Sequence, residues 1–219
     1  MATIIYSNMG DEDCKCLKSL WEGLDNVKVV EVRYSSAITR EEIDKAITEE
    51  EDLLICCGHG SPSGLFGLNH NLPNGYAFGV EQMPLVMARN FFGMWCNASD
   101  FARHNGMSGF FTSMFISNPN EAALNGIQGT TQEGINEATI RFCRKVNELI
   151  KRGVDVEGWR DELMKVMDAG NPVDVFNYNG LYMSDGTIVT RPEYAGESGE
   201  PDLSDGCLTT QLGSNFNFC

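Results

Sequence analysis

Along this chain, short apolar runs alternate with stretches whose hydrophobic positions recur at helical spacing. Thr3–Ser7 (TIIYS) is the first run and predicts a strand. In Asp11–Leu24, the residues Leu17, Leu20, Trp21 and Leu24 fall at i, i+3, i+4 and i+7, one face of a helix. Val27–Tyr34 (VKVVEVRY) is rich in Val and partly alternating, the pattern of a second strand. Thr39 and Glu42 have capping-box spacing, opening a helix that turns Ile43, Ala46 and Ile47 inward. Two further runs, Asp52–Gly60 (DLLICCGHG) and Asn90–Ala98 (NFFGMWCNA), read as strands buried on both faces, the kind found inside parallel sheets.

Between those two runs, Ser61–Tyr76 (SPSGLFGLNHNLPNGY) shows neither period and reads as a loop directly after His59. Val80–Arg89 predicts a helix disturbed by Pro84. Phe101–Asn105 reads as one helical turn. Phe110–Ser117 (FFTSMFIS) is another strand, stopped by Asn118-Pro119-Asn120. Gln132–Arg152 is an amphipathic helix marked by Ile135, Ala138, Phe142, Val146, Leu149 and Ile150. Trp159, Leu163, Val166 and Met167 mark a second, with Gly170 as its cap. Val173–Tyr178 (VDVFNY) predicts the start of a last strand region. Asp185-Gly186, between LYM and TIV, carries the signal of a two-residue hairpin turn.

The opening order β-α-β-α-β predicts an α/β fold with a mostly parallel central sheet and right-handed crossovers, to which Asp185-Gly186 adds a C-terminal antiparallel hairpin. Residues 1–190 read as one domain. After Arg191 the composition turns to Glu, Gly, Pro, Ser and Asp, so 191–219 reads as an acidic tail.

Charge narrows the function. A formal net charge of −15 lacks the basic footprint that nucleic acid requires and disfavours anionic membrane surfaces. No run reaches the roughly 18 apolar residues of a membrane span, and the first residues carry no signal-peptide pattern, so the expectation is a cytoplasmic chain. Eight cysteines with no CxxC pair read as reduced thiols rather than a disulfide framework. Cys56 and Cys57 lie within an apolar run and behave as small hydrophobes. Cys14 and Cys16, two apart on a helix, point to different faces and make a poor metal clamp. No metal and no cofactor is expected. The sequon Asn97-Ala98-Ser99 reads as coincidence.

Reactive groups in parallel sheets gather beyond the carboxyl ends of the strands. Asp52–Gly60 ends in His59-Gly60, and Asn90–Ala98 ends in Cys96 where the chain turns polar. A thiol and an imidazole delivered to one sheet edge are what a cysteine nucleophile needs, whereas a cysteine taken at random is usually structural. His70 and His104 read as surface residues. Other motifs fail: no GxGxxG follows the first strand, Pro62 holds the nucleophile position of the GSPSG string, and HExxH, Walker A and EF-hand patterns are missing.

On these two motifs, LLICCGHG and FFGMWC, the chain resembles the caspase-like cysteine peptidases, which include caspases, metacaspases, gingipains and clostripain-type enzymes. The resemblance covers roughly residues 1–190. It implies a caspase-like fold, a three-layer α/β/α sandwich, and cysteine endopeptidase activity on a peptide or protein substrate. Cys96 would be the nucleophile and His59 the proton carrier, without a third acid. The backbone N–H groups of Gly60 and Cys96 would form the oxyanion hole. Asp11, Met94 and Ser117 are the substrate-pocket candidates it implies.

The chain departs from the family at specificity positions. The caspase Gln-Ala-Cys-x-Gly string is absent, and Met94 stands two before the cysteine, where members that cut after Arg or Lys often carry Asp. Asp11, Glu12 and Asp13 at the end of the first strand either hint at a basic residue before the cut or form a charged first helical turn. Two alternatives stay open beside the peptidase: a caspase-fold interaction or regulatory module without turnover, and an unrelated doubly wound binding domain.

Overall fold

The computed structural model describes residues 1–189 apart from Glu12, His70, Pro73 and the side chain of Asp13. The expected tail, 191–219, lies outside the described residues, as does the reading of His70. In chain order the elements are β1 (Ala2–Ser7), a 3-10 helix (Asp13–Leu20), β2 (Val27–Val32), α1 (Arg40–Thr48) and β3 (Leu53–Gly58). Next come β4 (Gly60–Ser61), β5 (Gly64–Phe66), β6 (Tyr76–Gly79), a 3-10 helix (Val80–Leu85), β7 (Asn90–Met94), α2 (Ala98–Asn105) and β8 (Ser108–Phe111). The chain closes with α3 (Pro119–Leu124), α4 (Gln132–Lys151), a 3-10 turn (Val156–Gly158), α5 (Trp159–Met164), α6 (Pro172–Asn179) and β9 (Tyr182–Asp185).

Six strands form the central sheet in the order β2-β1-β3-β7-β8-β9. All neighbours are parallel except the last pair, β8 with β9. Side-chain alternation splits the two faces. Ile4, Tyr6, Ile55, Cys57, Phe92 and Met94 face α4, α5 and the first 3-10 helix. Ile5, Leu54, Cys56, Phe91 and Phe111 face α1, α2 and a small antiparallel sheet, β4-β5-β6. Strands covered on both faces must be apolar throughout, which is why they stood out as runs. Trp159, fully buried, packs edge-on against Phe92 and Phe110 and anchors α5 beneath the sheet.

Several elements differ from expectation. The first helix is 3-10, because its buried residues Cys14, Leu17 and Leu20 recur every third position and so line one face at 3.0 residues per turn. Asn147 of α4 donates to the Leu20 and Glu22 carbonyls and closes that helix. Ser61–Tyr76 is not merely a loop: it contributes Ser61 of β4, all of β5 and the first residue of β6. Arg40 pins this small sheet by donating to the Tyr76 and Ala77 carbonyls. Val80–Leu85 is a 3-10 helix carrying Pro84. The strand expected over Phe110–Ser117 is shorter, ending at Phe111 in β8.

Val173–Tyr178 is helix, not strand. Asn171 caps its first turn by accepting from the Val173 N–H, and Pro172 sits where a missing N–H costs nothing. Buried Val173, Asp174, Asn177 and Tyr178 form a helical stripe. The helix marked by Trp159 ends at Met164, with Lys165 rather than Gly170 at its end. Asp185-Gly186 does not turn β9 back on itself. β9 instead pairs antiparallel with β8, while the Val189 N–H bonds the Arg103 carbonyl. Among the described residues, no helix is long and apolar enough to cross a membrane.

Candidate active site

The chain enters the sheet at β1, moves outward to β2, then returns to β3 on the other side of β1. That reversal is a topological switch point, and a crevice opens there beyond the carboxyl ends of the strands. Asp11 follows β1, His59 follows β3, and Cys96 follows β7, so three consecutive sheet neighbours each deliver one reactive side chain to the same edge.

His59 leaves β3 between two glycines. A Cβ on Gly58, whose φ is +135°, would lie 2.4 Å from the Ser7 carbonyl oxygen of β1. One on Gly60 would lie 2.2 Å from Trp95 Cδ1. Only glycine lets this strand exit pass so close to both neighbours. The Phe66 N–H donates to the His59 carbonyl, making His59–Phe66 a hydrogen-bonded pair of the β4–β5 ladder. Gly60–Leu65 is then the non-bonded pair, which turns the Gly60 N–H away from β5.

Cys96 sits in a tight turn between β7 and α2. Asn97 takes the left-handed conformation, φ 64°, one of the few side chains that tolerates it. The segment after β8 holds this turn in place. The Asn97 N–H donates to the Ser113 carbonyl, the Ser99 N–H to the Thr112 carbonyl, and Thr112 Oγ1 to the Trp95 carbonyl. Trp95 in turn donates from Nε1 to the Ser61 carbonyl, tying the cysteine turn to the strand that follows His59. The Cys96 thiol is buried and directs Sγ toward the Phe115 carbonyl at 3.8 Å.

His59 and Cys96 line one cavity of about 30 Å³, space for a water or two, with Met94, Ser117, Cys14 and Phe115. Four expected site residues, His59, Cys96, Met94 and Ser117, therefore meet there. Gly60 lies one residue beyond, against Trp95. Ser117 donates from both N–H and Oγ to Glu121 Oε2. Asp11 enters the site behind the imidazole: its Oδ2 is 2.8 Å from His59 Nε2, and its Oδ1 accepts from the Cys14 N–H. Burial would raise this carboxyl, but hydrogen bonds from the His59 side chain and the Cys14 backbone outweigh it and bring it down to about 2.

The Asp11–His59 pair is what the sequence concealed, since a dyad without a third group was expected there. Its sequence signal was slight: an acidic residue just past the first strand. Cys14 is likewise drawn into the site, buried beside Asp11, and burial followed by the Asp11 charge pushes its thiol well up. Burial also pushes up Cys56, Cys57 and Cys143, leaving them poor nucleophiles.

No protein-family model matches the chain, and no curated protein matches it in sequence. Solved structures do resemble it. The Arg-specific cysteine proteinase gingipain R (RgpB) matches at 12% identity and a TM-score of 0.44, over 86% of this chain and 47% of that one. The complex of the Porphyromonas gingivalis RgpB pro- and mature domains matches at 14% identity and a TM-score of 0.46, over 86% and 48%. The chain spans about half the length of these structures. It has an α/β fold, with a mostly parallel sheet ending in one antiparallel pair, that is structurally similar to gingipain R across 86% of its residues.

Proposed function

We propose that this chain is a cysteine endopeptidase that cleaves peptide bonds with Cys96 and His59. The observation that carries this reading is the meeting of the two side chains in one cavity beyond adjacent parallel strands, β3 and β7. In the step proposed, Cys96 sulfur attacks the scissile carbonyl and forms a thioester as the amine leaves. His59 Nε2 is held by Asp11, so Nδ1 is the nitrogen that takes the Cys96 proton and passes it to the leaving amine. Asp11 is a positioning residue, fixing the ring orientation and steadying an imidazolium.

Water then hydrolyses the thioester and restores the thiol. The Gly60 and Cys96 N–H groups are the proposed oxyanion donors, a role worth roughly 10²–10³ in rate where one side-chain donor has been removed elsewhere. α2 opens two residues after Cys96, and a helix N-terminus favours negative charge on a nearby sulfur. Met94 and Ser117 are proposed to border the pocket for the residue preceding the cut. Residues 1–190 are proposed as the catalytic domain.

A fluorogenic peptide library varied at the residue before the cut tests this, with Cys96→Ala as control. Cleavage by the wild type that the variant lacks supports the reading. If no peptide is cleaved and a peptidyl electrophile ignores Cys96, the reading fails and the chain is an interaction module on the same fold.

A further inference from the structure

Asp11, Cys14 and His59 bring a carboxylate, a thiol and an imidazole together at the switch point. Their ligand atoms all lie within 4.8 Å of one another. From this cluster we infer a binding site for a thiophilic divalent cation of the zinc type, with one Zn²⁺ held by these three side chains. Three donors of mixed nitrogen, oxygen and sulfur character with a fourth position left open are a set that Zn²⁺ accepts.

The geometry is close to what the ion needs. Zn–S bonds of about 2.3 Å and Zn–N or Zn–O bonds of about 2.0–2.2 Å place tetrahedral donors roughly 3–4 Å apart. The Asp11–His59 contact of 2.8 Å has only to widen by a fraction of that span, and the two donors come from separate loops. Cys14 and Asp11 are preset by the hydrogen bond from the Cys14 N–H to Asp11 Oδ1, at the start of a packed 3-10 helix. An ion reaches the cluster from the Asp11 side, where the carboxylate is 37% exposed while the imidazole is 11% exposed. The net charge of −15 draws cations toward the protein as a whole.

On binding, Cys14 coordinates as thiolate and its proton passes to solvent. Asp11 is already a carboxylate. His59 coordinates through Nε2, the nitrogen beside Asp11, and carries its single proton on Nδ1 instead. No electron is transferred. Cys96 lines the same cavity as Cys14 and His59, so the ion would lie beside the proposed nucleophile. The consequence rests on the peptidase reading: the ion takes the imidazole lone pair that the reaction needs and detaches Asp11 from the ring, so zinc acts as a reversible off-switch.

Zn²⁺ titration of the reduced, metal-free full chain against a chromophoric chelator tests the site without requiring turnover. One Zn²⁺ per chain is expected. Loss of Cys14 as a direct ligand should cost more than the roughly 10–100-fold that loss of an outer partner costs. Cys14→Ser is therefore expected to weaken binding at least about 100-fold, and Cys16→Ser to leave it unchanged. Co²⁺ in place of Zn²⁺ should show a sulfur-to-metal charge-transfer band that persists in Cys96→Ala and vanishes in Cys14→Ser. If Cys14→Ser does not fold, Asp11→Ala, at a half-exposed position, must show the same weakening. Equal affinity in wild type and these variants, or a cobalt band that survives Cys14→Ser, overturns the site. With any cleaved peptide, stoichiometric Zn²⁺ should stop turnover and chelator restore it; full activity in the zinc-bound chain overturns the switch. A chain that cleaves nothing yet binds zinc through Cys14 would sink the peptidase reading alone.

Discussion

Asp11 and His59 are 48 positions apart in the chain and 2.8 Å apart in space, joined from Oδ2 to Nε2. The parallel register of β1 with β3 causes this, pairing Ser7 with Gly58 so that both strands end level. The loops leaving the two strands then meet at the switch point.

Removing that carboxylate should loosen the ring. Asp11→Ala is expected to lower kcat about 100-fold through misplacement of His59, with a shifted pH–rate profile and little change in KM. A variant whose pH profile and kcat match the wild type would remove Asp11 from the mechanism.

The same pair has a signature in acid. The Asp11 carboxyl lies at about 2 in the fold against an ordinary 3.8, so it is depressed. Its contribution is complete above about pH 4 and is lost as pH falls toward 2. Urea midpoints of wild type and Asp11→Asn should differ at neutral pH and converge at about pH 2. A gap that stays constant across this range would contradict the assignment.

Thiol reactivity should be selective. A peptidyl acyloxymethyl ketone is expected to label Cys96 and to leave Cys56, Cys57 and Cys143 unmodified, since burial holds those three as neutral thiols. Peptide mapping by mass spectrometry reads the outcome. Label on any of the three buried cysteines in the folded chain would count against it.

Gly60→Ala tests the packing that aims His59. The added methyl would stand 2.2 Å from Trp95 Cδ1 and 2.7 Å from the Gly64 carbonyl oxygen, so Trp95 or the backbone must shift. The expected cost is about 1–3 kcal/mol of stability by urea denaturation, together with loss of turnover. A variant as stable as wild type would show that the strand exit has slack.

Tyr178 offers the opposite sign. Its hydroxyl is buried with no hydrogen-bond partner among the described residues. Tyr178→Phe deletes an unsatisfied polar group and keeps the ring that packs edge-on against Phe142. Thermal unfolding should show a gain of about 1 kcal/mol. A loss would mean that the hydroxyl has a partner.

Much of the architecture was legible because burial on two faces demands contiguous apolar residues. β1, β3 and β7 could be read as runs, and α1 from Thr39, Glu42 and its inward stripe of Ile43, Ala46 and Ile47. The same logic put His59 and Cys96 at strand exits. It failed where a local pattern had two solutions. VDVFNY, rich in Val and aromatic residues, reads as a strand, yet the Asn171-Pro172 start and packing around Val173 and Tyr178 made it α6. SPSGLFG has no period long enough to show the three-residue strand it supplies or the end of the one before it.

What the sequence by itself determined is which segments are buried and which side chains stand at their ends, since hydrophobic spacing and capping are local properties. Only the tertiary structure decided that Asp11 bonds the His59 ring and that Cys14 joins them. Strand order and register are set by long-range pairing, and a contact across that pairing leaves no trace in the spacing of residues along the chain.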